Sequence, residues 1–330
     1  MSATLTAPVP STPSARPTSA SQGKKTSTGW GDWIFENLTL IFALSILAIA
    51  AAIAWQLFKN SALARHAFGW SFLTKQIWDP VAEDFGALPF IFGTLVSSAL
   101  ALMIAIPLGV GVAIFLSELA PRRISDACAF LIELLAAIPS VVYGLIGIFV
   151  LVPVMRTHVQ PFLIKTLGFL PFFRGPAYGV GMLTAAVVLA IMIVPFIVSI
   201  SREIFLSVPA PLKEAAMALG ATHWEVVRLA VLPYSRSGIA GAVFLALGRA
   251  LGETMAVTMV IGNVPRIAAS LLAPGYTMAA VLANEFTEAT SDLYVHTLIE
   301  IGLVLFVITI LANAIGRLIL YKMAPDAEAH

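Results

Sequence analysis

Apolar runs about as long as a bilayer is thick alternate with short polar stretches along most of the chain. Six runs qualify, at 37–58, 90–117, 127–154, 177–200, 237–262 and 296–320. Each reaches the ~20 residues that a helix needs to cross a hydrocarbon core. Pro107, Pro139 and Pro195 interrupt three of them. Such breaks are tolerated where neighbouring helices or a cavity satisfy the freed carbonyls. The pattern predicts an all-α polytopic membrane protein with six transmembrane helices. A membrane domain over 30–322 is expected between a disordered tail at 1–29 and a short tail at 323–330. The first tail is rich in Ser, Thr, Pro and Ala, and it lacks the apolar core and small-residue cleavage site of a signal peptide.

One long stretch breaks the rhythm. Residues 201–236 are too polar to span, and Ser207 to Pro233 reads SVPAPLKEAAMALGATHWEVVRLAVLP. Pro211 suits a first helical turn, where its missing N–H costs nothing. Gly220 suits the left-handed position just past a helix end. Thr222 and Glu225 form a T-x-x-E capping box that starts a second helix, and Pro233 is expected to close it. The prediction is two short helices with a sharp turn. Glu214-Ala215-Ala216 lies in the first, where two small residues leave a surface that another protein can approach closely.

Composition narrows the class. The chain is 59% hydrophobic and 11% charged, with mean hydropathy +0.93. Soluble domains carry about 25% charged residues, so there is too little charge here to cover a soluble surface. The net charge of +1 says nothing about nucleic acid, but a basic patch of the kind that neutralises phosphates is absent, so no nucleic-acid partner is expected. Cys128 is the single cysteine; it permits no internal disulfide and is read as packing. With the N-terminus inside, inner segments hold 11 Lys and Arg and outer segments 7, which favours cytoplasmic N- and C-termini. Tryptophans 30, 33, 55, 70 and 78 flank the first run and its outer loop, where interfacial aromatics belong. The outer loop 155–176, with three prolines, is expected to be irregular.

Ionisable residues inside the runs are few: Glu133, Arg249, Glu253 and Glu300. An arginine near mid-span costs about 2.5–3.5 kcal/mol, so Arg249 must face a partner or a water-filled cavity. Glu253 is four residues on, one helical turn along the same face. Gly248 and Gly252 make a GxxxG pattern on the adjacent face, which lets another helix approach. Two readings follow. The pair is a buried ion pair that holds helices together, or it lines an anion pathway with Thr254 beyond it. A guanidinium fork matches phosphate oxygens, and a carboxylate beside it limits the attraction. Glu133 is read as snorkelling or pairing with Arg122 or Arg123, and Glu300 as interfacial. The five histidines show no metal-ligand spacing. No phosphate-binding loop occurs, since Gly23-Lys-Lys-Thr26 lacks the upstream glycine.

The Glu214-Ala215-Ala216, Gly220 and Leu232-Pro233 set resembles the EAA loop of ABC-importer permeases, with Ala230 where isoleucine is usual. The segment from Leu247 to Asn263, reading LGRALGETMAVTMVIGN, is similar to phosphate-specific permeases of PstC type. So are Phe90–Leu95, Pro107–Gly111, Ser117–Pro121 and Ile138–Gly144. The likeness covers roughly 30–322. It implies a type I ABC-importer permease fold in the bacterial inner membrane. Glu214, Ala215, Ala216 and Gly220 would dock the ATPase; Arg249 and Glu253 would act in the pathway. It implies four further chains: a homologous permease subunit (PstA type), two ATPase subunits (PstB type) and an external phosphate-binding protein (PstS type). ATP and Mg would be used by the ATPase, and this chain would bind no cofactor. Two alternatives stay open at this stage: a molybdate or sulfate permease, or a proton-coupled secondary transporter using Glu253.

Overall fold

The structure, a computed structural model, describes residues 30–323; the expected tail at 1–29 lies outside that range, as does the C-terminal tail beyond Met323. Six helical stretches are long and apolar enough to cross a membrane. The first is α1 (Trp30–Asn60), whose residues 33–50 are almost entirely exposed apolar side chains. Residues 30–52 form one unit and the rest of the chain another.

In the second unit, α2 (Ala62–Phe68) and a 3-10 turn lead to a minimal hairpin of β1 (Trp78–Asp79) and β2 (Asp84–Phe85). Asp79 Oδ1 accepts from the N–H groups of Val81 and Ala82, which builds the turn. Next comes α3 (Leu88–Ile114), extended to Leu119 by a π turn. It packs lengthwise on α8 (Met182–Leu206), the most buried of the spans. Lipid gives no hydrophobic drive for helix pairing, so close packing of small residues has to supply it. Ala101, Ala105 and Gly109 recur every fourth residue on α3, and all are buried. A Cβ on Gly109 would lie 2.7 Å from Ile197 Cγ2 of α8. Leu189, Met192 and Ile193 of α8 complete this core.

The third span departs from expectation. The apolar run 127–154 is not one helix. Its first half belongs to α4 (Arg122–Ala136), which ends before Pro139, and the span proper covers Ser140–Leu167. Residues 155–167, expected to be loop, are helical within it. It is assembled from α5 (Ser140–Ile146), α6 (Val152–Val154) and α7 (Gln160–Leu167), joined by π turns at Gly147–Leu151 and Met155–Val159. Each π turn ends two residues before a proline, at Pro153 and Pro161. Proline has no N–H, and its ring crowds the carbonyl four residues back. Widening the preceding turn moves that carbonyl away, and the helix continues instead of stopping.

The same device overturns the expected stop at Pro233. Beyond α9 (Ala210–Ala218), α10 (His223–Val226) passes through a π turn at Val227–Val231 into α11 (Leu232–Leu251). The second short helix of the polar stretch and the fifth span are therefore one continuous rod, His223–Leu251. It breaks at Gly252 and resumes as α12 (Met255–Ile261), which ends at left-handed Gly262. After α13 (Met278–Glu285), α14 (Asp292–Met323) is the sixth span.

The loop after α12 caps α8. The N–H groups of Gly181, Met182 and Leu183 donate to the carbonyls of Val260, Ala273 and Leu271, so the unpaired donors at that helix start are satisfied. Beside it, Trp78 Nε1 and the Tyr294 hydroxyl both donate to Glu285 Oε2, among Phe85, Phe90 and Tyr276. Burial, more than any neighbouring group, holds the Tyr276 phenol above its ordinary pKa, so it stays a neutral hydroxyl that accepts from Asn284 Nδ2 at 3.0 Å.

Candidate functional site

Two places carry the expected chemistry: the polar turn at 207–226 and the break in the fifth span. At the turn, α9 ends as its sequence predicts. Gly220 is left-handed at φ +87°. Its N–H donates to the Met217 carbonyl at 2.9 Å, and the Ala221 N–H reaches back to Ala216 at 3.2 Å. That bond pair defines a Schellman motif. A Cβ on Gly220 would meet nothing within 4 Å, so backbone conformation alone asks for glycine here. The capping box also forms. Thr222 Oγ1 accepts from the Glu225 N–H at 3.4 Å, and Glu225 Oε2 accepts from the Thr222 N–H at 2.8 Å.

The helix before these signals, α9, buries none of its residues. Glu214, Ala215 and Gly220 are exposed and Ala216 is half-buried. Leu212, Met217 and Leu219 are exposed beside them, Leu219 at 90%. Among the described residues the one ion pair that ties α9 back is Lys213 Nζ to Glu118 Oε1 at 2.6 Å. Glu118 stands in the π turn that ends α3. The apolar, unpartnered helix held by one ion pair is a surface suited to docking.

The break in the fifth span separates the two residues that four-residue spacing pairs. Because α11 stops at Leu251, Glu253 is not one turn along from Arg249 on a shared helix face. Glu253 Oε1 instead accepts from the Ala256 N–H at 3.1 Å, and so satisfies an orphan donor in the first turn of α12. Among the described residues no carboxylate comes within ion-pair distance of Arg249. Its guanidinium is exposed, with Cζ 6.0 Å from the Phe196 ring centroid on α8. The buried Arg249–Glu253 ion pair, one of the two readings open from sequence, does not form. Helix geometry fails here because Gly252, immediately before Glu253, ends the helix.

Thr254 is half-buried in the same break, its hydroxyl donating to the Gly252 carbonyl at 3.3 Å. Thr258 in turn donates to Thr254 at 2.6 Å. Beyond α12, left-handed Asn263 donates from Nδ2 to Thr258 at 3.0 Å, and its buried Oδ1 has no partner among the described residues. Tyr143 is buried and donates to the Leu135 carbonyl at 2.7 Å. The Gly144 that follows it gives close approach to α12, where a Cβ would lie 3.2 Å from Ala256 Cα. Gly248 has looser surroundings: its nearest neighbour is Asn313 Oδ1 of α14, 3.9 Å from an added Cβ. Among the described residues no helix packs closely into the GxxxG face.

A family model for binding-protein-dependent transport system inner membrane components matches residues 105–326. The chain belongs to that family. The phosphate transport system permease protein PstC of Mesorhizobium japonicum is 52% identical over 296 residues, covering 88% of this chain and 90% of that one. The PstC protein of Haemophilus influenzae is 48% identical, covering 89% and 94%. Among solved structures, the inward-facing methionine transporter MetNI shares the fold at TM-score 0.51 and 18% identity, covering 76% of this chain and all of its own. A bacterial alginate importer does so at TM-score 0.52 and 17%, covering 87% and 99%.

Seen as a transport-system membrane component, the chain contains parts that its motifs did not announce. The Lys213–Glu118 pair joins two segments of family likeness, and each had been read separately. Arg202 does similar work, donating from one Nη to Ser125 Oγ at 3.3 Å and lying 3.5 Å from Asp126. It anchors the start of α4. Glu133, expected to snorkel or to pair with Arg122 or Arg123, is exposed on α4 with no ion pair among the described residues, which fits the first of those readings. Glu300, expected at the interface, is 6% exposed. No local pattern in the sequence distinguishes these positions.

Proposed function

We propose that this membrane component is the permease subunit of an ATP-driven importer and carries inorganic phosphate inward by alternating access. The substrate rests on one observation: the relatives that match nearly the whole chain are named as phosphate permeases. Chemistry supports it. Arg249 presents an unpaired guanidinium beside the break in the fifth span, and a guanidinium binds tetrahedral oxyanions through a planar fork. Glu253 and Thr254 shape the turn that presents it. The proton-coupled alternative is weakened, because the Glu253 carboxylate is committed to the α12 backbone.

The exposed face of α9, with Glu214, Ala215, Ala216 and Gly220, receives a separate ATPase. Two such ATPase subunits bind ATP and Mg; this chain holds neither. A homologous second permease subunit completes the pathway, and an external binding protein delivers phosphate to the opposite side. The termini are cytoplasmic, on the side of α9. Because α10 continues into the fifth span, a push on α9 and α10 is delivered to the rod that bears Arg249.

Uptake of labelled phosphate, measured with and without this chain at matched ATP and with an uncoupler present, tests the proposal. Uptake that requires the chain and survives the uncoupler is the expected result. Uptake indifferent to the chain removes phosphate as substrate and turns attention to sulfate and molybdate. Collapse with the uncoupler alone removes the ATPase.

A further inference from the structure

A cavity of about 600 Å³ opens on the α2 side of the sixth span, away from both regions described above. Its polar end holds Arg65, Trp70 and Glu300; its long wall is Leu303, Val304, Val307 and Leu311 of α14. Glu300 is 94% buried, and its Oε2 has no hydrogen-bond partner among the described residues. A lone carboxylate inside a membrane span is costly unless something compensates it. Arg65 lines the same cavity but closes no ion pair with Glu300. Its Nε and one Nη donate to Ser61 Oγ at 3.1 Å and the Phe58 carbonyl at 2.6 Å, and Cζ lies 3.8 Å over the Phe58 ring. These contacts fix the fork with its other Nη unspent. The cavity therefore offers a fixed cation, a separate unpartnered carboxylate, and an apolar wall. From Glu300 to Leu311 that wall runs roughly 16 Å along the helix, and the 88% exposed Trp70 stands at its mouth.

We propose that this groove binds one bilayer phospholipid whose head group carries a primary ammonium. The ammonium donates to Glu300 Oε2, the lipid phosphate accepts from Arg65, and one acyl chain lies along Val304, Val307 and Leu311. Opposite charges at one end and an apolar track at the other match a zwitterionic lipid. A free phosphate ion would leave Glu300 unpaired and the track empty, and a purely anionic lipid would set its charge against the carboxylate.

The test uses the assembled transporter, purified in mild detergent from membranes containing phosphatidylethanolamine and phosphatidylglycerol, with bound lipid counted by native mass spectrometry. One phosphatidylethanolamine per chain should survive a wash that strips phosphatidylglycerol. Glu300→Gln should lower its retention at least tenfold. Val307→Trp, which fills the track at a 45% exposed position, should do the same. Added inorganic phosphate should leave the count unchanged. A wild-type protein without the lipid, variants that keep it, retention of phosphatidylglycerol instead, or displacement by inorganic phosphate would each overturn the site. The unaltered protein gives an independent reading: in vesicles, spin-labelled phosphatidylethanolamine should be immobilised at least tenfold more tightly than the phosphatidylglycerol analogue. Equal immobilisation refutes the proposal whatever the variants do.

Discussion

Lys213 of α9 and Glu118 at the end of α3 form an ion pair at 2.6 Å, with side chains only 21% and 12% exposed. Among the described residues it is the one charged tie between α9 and the helix that packs most closely on α8. A pair this sheltered is worth more than a surface bridge, and removing one partner leaves the other charge without compensation.

Lys213→Ala or Glu118→Ala should therefore destabilise the α9 attachment by about 1–3 kcal/mol. The chain still inserts, but transport-coupled ATP hydrolysis in the reconstituted complex falls. The exchange Glu118→Lys with Lys213→Glu should recover part of the loss. A double-mutant cycle on coupled hydrolysis checks this, and zero coupling energy between the two positions would sink the idea.

At Gly220 the expected order is set by backbone alone. A side chain has room, so Gly220→Ala should cost about 1–2 kcal/mol for a left-handed residue. Gly220→Asn should cost less, because Asn tolerates that conformation. Gly220→Asp should leave the chain in the membrane yet uncouple it. Substrate-stimulated ATPase activity should rank wild type, Asn, then Ala; full activity in Ala and Asp would show that α9 needs no fixed end.

The broken fifth span separates the roles of Arg249 and Glu253. Arg249→Lys should lose most uptake, since an ammonium cannot reproduce the guanidinium fork. Glu253→Gln keeps an oxygen that can accept from the Ala256 N–H, so it should retain most uptake. Glu253→Ala loses the cap, with a cost of about 1 kcal/mol to α12. Uptake kinetics of the three variants decide the matter. Normal transport by Arg249→Lys would remove the residue from the pathway, and equal damage from Gln and Ala would give Glu253 a role beyond capping.

The α3–α8 seam should tolerate nothing larger than it holds. Gly109→Leu meets the Ile197 side chain within contact distance, and overpacking a tight seam costs about 1–3 kcal/mol. The variant should accumulate poorly in membranes and lose heat stability in detergent. Leu108→Ala, at an exposed neighbour, is the control. Equal thermal midpoints for the two variants would mean the seam is looser than its geometry indicates.

What the sequence determined by itself was everything that nearest neighbours along the chain control. The number of spanning helices, the left-handed Gly220 and the Thr222–Glu225 box are each set by transfer energy or by backbone bonds a few residues apart, and all are present. Tertiary structure decided where helices stop and what buried charges face. Pro161 and Pro233 read as breakers, yet the chain continues through them by widening the turn before each, because ending a helix in lipid would strand more backbone groups than a π turn does. Gly252, which reads as a packing glycine, ends the helix instead. It turns Glu253 onto α12 and leaves Arg249 alone. Glu300 was taken for an interfacial residue, because nothing in its own helix shows that α2 folds over it. Those outcomes depend on which distant backbone or side chain is near enough to satisfy a polar atom, and hydropathy along one chain carries no record of that distance.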